Sequence, residues 1–104
     1  MMNDIAKMIA AIANGLTGNF EDRKVARTEV DGVEISTVFT VDQGYETAIC
    51  DLDGAHPVER YPDREAAILG HERWVRDVPN METMTELGYG GLIDAQEWPI
   101  LRNG

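Results

Sequence analysis

A chain of 104 residues with 43% hydrophobic side chains holds material for one modest core and leaves no room for a second domain. Nineteen acidic residues against nine basic give a net charge of −10. That balance argues against non-specific binding to nucleic acid or to an anionic membrane, because phosphate affinity comes from lysine and arginine. It suits a basic protein surface, including one that ordinarily holds nucleic acid.

In chain order, Asn3-Asp4 offers a helix cap and an acidic first-turn residue. Ile5, Met8, Ile9, Ile12 and Leu16 then recur as one apolar stripe, which predicts an amphipathic helix over 1–16. Asn14-Gly15 signals its end, and Thr17-Gly18-Asn19 is a short tether. Asp4 and Lys7 interrupt any signal-peptide pattern, and no stretch reaches the length of a membrane span. The single cysteine, Cys50, fits a reducing cytosol and reads as a buried structural thiol.

Residues 24–61 predict four strands in a meander. Val25 to Val30 meets Asp31-Gly32, the preferred chemistry of a two-residue hairpin turn. Val33 to Val41 follows, with Val33, Ile35, Thr37, Phe39 and Val41 on one face. Asp42-Gln43-Gly44 and Leu52-Asp53-Gly54 then bound Tyr45 to Asp51 and His56 to Tyr61. Pro62-Asp63 starts a helix whose apolar arc holds Ala67, Ile68, His71, Trp74, Val75 and Val78, bordered by Gly70, which would let the helix approach the sheet closely. Glu65, Glu72, Arg73, Arg76 and Asp77 fall on its opposite side. Pro79-Asn80 ends it. Residues 79–104 read as an irregular tail, with a helical turn at 82–87, loosened by Gly88, Gly90 and Gly91 and anchored through Trp98, Ile100 and Leu101. The expectation is a single α+β domain: N-terminal helix, four-stranded antiparallel meander, one packing helix, irregular C-terminal tail.

The candidate chemistry is thin. His71 sits inside the apolar arc, where a packed histidine with one hydrogen bond is the ordinary outcome. His56, Glu59 and His71 could converge if the last strand lies beside the helix, but their spacing does not require it. His71 and Glu72 are not part of a His-Glu-x-x-His pattern, so no metal is expected. Asp51-Leu-Asp-Gly54 lacks the later ligands of a calcium loop and reads as a turn. Gly88-Tyr-Gly-Gly91 lacks the lysine and hydroxyl residue of a phosphate loop. Ser36, the only serine, falls in a strand, so no nucleophilic triad and no cofactor are expected.

The run Arg23-Lys-Val-Ala-Arg27, then Val33-Glu-Ile-Ser-Thr-Val-Phe39, Tyr45-Glu-Thr-Ala48, Glu59-Arg-Tyr61, Glu65-Ala-Ala and Gly70-His-Glu-Arg-Trp-Val75 resembles a family of small uncharacterised proteins of tailed phages and prophages. The resemblance covers about residues 23–76. It implies a phage origin, expression in the host cytoplasm and the same meander followed by a helix, and it gives His71 a recurring position.

Two functional expectations follow. The first is a non-enzymatic interaction protein that inhibits a host or defence protein in the manner of an anti-CRISPR, without touching nucleic acid directly, through Asp51, Asp53, Glu65, Glu72 and Asp77. The second is a small-ligand or signalling-nucleotide protein, or a hydrolase, with His56, Arg60 and His71 in one pocket. Neither side of the sheet reads as plainly polar. The first helix is therefore expected to cover the second face, in an exchange that would make a homodimer.

Overall fold

The computed structural model describes residues 23–88 and 94–103; the expected N-terminal helix, Gly90 and Gly91 lie outside them. Strands β1 (Lys24–Val30), β2 (Val33–Thr40), β3 (Gly44–Asp51) and β4 (Gly54–Tyr61) form one antiparallel sheet in sequential order, the expected meander. Val30 pairs with Val33, so Asp31-Gly32 closes a two-residue turn, and both residues have the positive φ (49° and 81°) that such turns require. Val33, Ile35 and Thr37 of β2 and Thr47 and Ile49 of β3 point inward and are buried. Phe39 and Val41 continue the same alternation but reach past the packed region and are exposed. A bulge sets Val58 between Pro57, opposite Ala48, and Glu59, opposite Thr47.

Helix α1 (Arg64–Asp77) lies across the inner face and contacts all four strands. Asp63 caps it by accepting a bond from the Ala66 amide at 2.8 Å, and Glu65 adds a negative charge to the first turn. Ala67, Gly70 and His71 are its buried residues. Gly70 performs the role expected of it: a Cβ there would lie 2.2–2.4 Å from the Tyr61 ring, so only glycine lets helix and sheet meet this closely. Pro79 falls in the short 3₁₀ turn Val78–Asn80 that ends the helical stretch.

The tail is not irregular. Residues 82–87 do not form a helical turn; Thr83–Glu86 is strand β5, paired antiparallel with β6 (Gln96–Pro99) in a second sheet. The physical reason is a period of two: Met84 is 2% exposed while Thr83 and Thr85 face outward, a pattern that suits a strand with a partner. Met84 and Ile100 complete the core with Val33, Ile35, Ile49, Val58 and Val78. Of the three expected anchors only Ile100 is buried; Trp98 and Leu101 keep 37% and 42% of their surface exposed.

Residues 100–103 strap the end of the sheet. Leu101 accepts a bond from the Leu52 amide and the Asn103 amide donates to Gly32, joining the β3–β4 and β1–β2 turns. Arg102 pairs with Asp31 and donates to the carbonyls of Val78 and Met81. Gly32 is required twice over, by its φ of 81° and because a Cβ would come 2.5 Å from the Asn103 carbonyl oxygen.

Candidate functional site

His71 is buried under α1, as its place in the apolar arc predicts, but it makes two side-chain hydrogen bonds rather than one. Its Nε2 lies 2.9 Å from the Thr28 hydroxyl on β1, and its Nδ1 lies 2.8 Å from Thr37 on β2. Cross-strand pairing puts Thr37 opposite Thr47, whose hydroxyl is 2.5 Å away. Tyr61 donates to Thr47 at 2.9 Å and reaches Glu59 at 3.0 Å. Glu59 also accepts from Trp74 Nε1 at 2.7 Å and from Arg73. One polar chain thus runs from β1 through the interior to the far side of α1. Burial pulls the His71 pKa down, against a smaller upward pull from Glu72, and pushes the Tyr61 phenol up to about 12. A neutral imidazole has one donor and one acceptor, and threonine hydroxyls rotate to match either.

His56, on the inner face of β4, is solved differently. Its Nδ1 stands 2.6 Å from Glu86 of β5. Its Nε2 is 3.3 Å from Asp51 and 3.6 Å from Asp53, within ion-pair distance yet without a hydrogen-bond partner. The Trp98 ring sits 6.1 Å from the imidazole, centroid to centroid. The Asp51 side chain has no exposed surface and accepts from the amides of Leu101, Asp53 and Gly54. Burial pushes its carboxyl upward, but those three amides and His56 outweigh the push and hold it below the ordinary value.

The residues of the expected ligand pocket are not brought together. His56 and His71 share no hydrogen-bond partner among the described residues, each being held by its own set. Arg60 pairs with Glu46 on the outer face of the sheet, away from both. Of the five acids expected to meet a partner, Asp51 is consumed internally, whereas Asp53, Glu65, Glu72 and Asp77 are exposed. Sequence reasoning missed Asp51 and Glu86 as partners of His56, and Thr28 and Thr37 as partners of His71. The inward phase of Thr37 was the one signal available. Among the described residues no group of three or more His, Cys, Asp and Glu is arranged to hold a metal, and no helix is long and apolar enough to cross a membrane.

A groove of about 780 Å³ opens at the end of the sheet that carries the β1–β2 turn. Glu29, Asp31, Glu34 and Asp51 line it with Arg27 and Cys50. Arg27 is already paired with Glu34 at 2.6 Å.

No family model matches this chain, nor does any curated protein or solved structure.

Proposed function

We propose that this is a small acidic interaction protein of phage origin that binds a basic surface of a host or defence protein and competes there with nucleic acid, as an anti-CRISPR does. The observation that carries the reading is the disposition of charge. Arg27, Arg60, Arg73, Arg76 and Arg102 are each spent on a carboxylate of the same chain. Glu65, Glu72, Glu82 and Glu97 are exposed and form no ion pair among the described residues. These four unpaired charges therefore face outward, where they can steer association with a positive surface. Both histidines turn their ring nitrogens toward groups of the same domain, which favours a binding role over catalysis.

The test is displacement of a fluorescent DNA duplex from a purified CRISPR nuclease effector, followed by anisotropy. Displacement at micromolar protein is expected, with an association rate falling about tenfold from low to physiological salt as the screening length contracts to about 8 Å. Neutralising Glu65, Glu72, Glu82 and Glu97 together to glutamine should slow association without changing the melting temperature. Absence of displacement, or displacement indifferent to salt and to those four charges, overturns the reading.

A further inference from the structure

We propose that the end of the domain around His56 is the docking surface, and that it receives an arginine side chain of the partner between Asp53 and Trp98. The partner is the basic protein of the proposed function, and the source of the arginine rests on that reading. Glu86 can only accept, so the 2.6 Å contact places a hydrogen on His56 Nδ1. A neutral ring then turns the bare lone pair of Nε2 toward Asp51 and Asp53. Nε2 has no hydrogen-bond partner, although His56 is only 6% exposed. A charged ring would instead set one positive charge against three carboxylates. Both forms leave the cluster short of positive charge. The ion pairs of Arg27, Arg60, Arg73, Arg76 and Arg102 all lie elsewhere.

The surroundings select the cation. Glu86 stands at one end of the imidazole and the two aspartates at the other, so the acids do not meet at one point as a metal ion needs. Asp53 keeps 58% of its side chain exposed. The Trp98 ring, 37% exposed, lies 6.1 Å from the same imidazole. A guanidinium can bind the Asp53 carboxylate through paired N–H groups and lay its flat face on the indole. Asp51, with no exposed side-chain surface, adds negative charge behind Asp53 without touching the ligand. Leu52 and Leu101 are joined by a backbone bond, both are exposed, and the Leu101 amide donates to Asp51. Three exposed apolar side chains, Leu52, Trp98 and Leu101, thus gather around one acidic cluster. An apolar contact area around a charged anchor is the anatomy of a protein interface.

The test titrates the full-length chain with the peptide acetyl-Gly-Arg-Gly amide, using its citrulline analogue as the uncharged control of the same shape. Heteronuclear NMR follows both indoles of the chain, and Trp74, bonded to Glu59, serves as the internal reference. The arginine peptide should move the Trp98 indole and His56 ring signals and leave Trp74 in place. The citrulline peptide should need about tenfold more for the same shift, and Asp53→Asn should weaken the arginine peptide about tenfold. Asp53 bonds Asp51 through its backbone amide, so this variant should keep the wild-type melting temperature. Equal movement of both indoles, parity of the two peptides, or unchanged arginine binding by Asp53→Asn overturns the site. The DNA-displacement assay separates this site from the function it serves. Displacement without arginine binding at Trp98 removes the site and leaves the function standing. Arginine binding at Trp98 without displacement removes the function and leaves the site.

Discussion

The two histidines of this chain are both nearly buried, 6% and 4% exposed, yet their surroundings have nothing in common. His71 lies among hydroxyls, in a chain of threonines and a tyrosine that carries no charge until it reaches Glu59. His56 lies among three carboxylates drawn from β3, the β3–β4 turn and β5. One end of the domain is thus held by neutral hydrogen bonds between helix and sheet, and the other by charge around the strap. The difference teaches that burying an imidazole can be compensated either by adaptable neutral partners or by opposite charge, and the two choices respond differently to substitution, acid and salt.

The largest effect is expected at the neutral end. In Gly70→Ala the added methyl would overlap the Tyr61 ring, which is itself buried and bonded to Thr47 and Glu59. Overpacking costs roughly 1–3 kcal/mol and two disturbed hydroxyl bonds about 1–2 more, against a return of about 1 kcal/mol in helix propensity. A net loss of about 3 kcal/mol should appear in chemical denaturation. A stability equal to wild type would mean that α1 can slide off the sheet and that the polar chain does not fix its height.

At the charged end, Asp51→Asn keeps the shape and removes the charge that three amides and His56 face. Charge-assisted bonds are worth about 1.5–3 kcal/mol, so a loss of about 2 kcal/mol is expected. It should be accompanied by faster hydrogen exchange at the Leu101 amide than at the Ala66 amide. Equal acceleration at both would show that the strap is not a separate unit of stability.

Acid separates the two ends. His71 has a lowered pKa, so below its ordinary value of 6.5 the unfolded chain takes up a proton that the folded chain refuses. Stability from this source is complete above that pH and declines as pH falls beneath it. Asp51 is also lowered, from an ordinary 3.8, so its contribution is present above that value and lost only as pH falls further. Urea midpoints measured from pH 8 to pH 3 should show two descents, each shallower than the one-proton limit of about 1.4 kcal/mol per pH unit. His71→Gln should flatten the upper descent and Asp51→Asn the lower. If His71→Gln leaves the upper descent in place, the proton goes elsewhere.

Much of this fold was legible because local signals and tertiary needs agreed. The Asp31-Gly32 turn, the alternation of Val33, Ile35 and Thr37, the Asp63 cap and the close approach at Gly70 each carry their own chemistry in the sequence. The second sheet was not legible, since Thr83–Glu86 is too short to announce a period and its partner strand comes ten residues later. The histidine partners were hidden for a related reason. Thr28 and Thr37 reach His71 over 43 and 34 residues, and Glu86 reaches His56 over 30, so only the folded arrangement pairs them.

The smallest effect isolates the far end of the polar chain. Tyr61→Phe removes one hydroxyl and leaves the ring that Gly70 packs against. Thr47 keeps its bond to Thr37, and Glu59 keeps Trp74 and Arg73, so no buried group is left wholly without a partner. That is the circumstance in which a lost hydrogen bond costs near the low end of its range, about 0.5–1 kcal/mol. The phenol, held at about 12, stays protonated across the working range, so the loss should be the same at pH 6 and pH 9. His71 is two hydroxyls removed from the deleted group, through Thr47 and Thr37, and its upper acid descent should persist in the variant. Should Tyr61→Phe instead cost more than about 2 kcal/mol and abolish that descent, the chain from Thr28 to Glu59 would be acting as one cooperative network, and the contrast between a neutral end of independent bonds and a charged end would have to be abandoned.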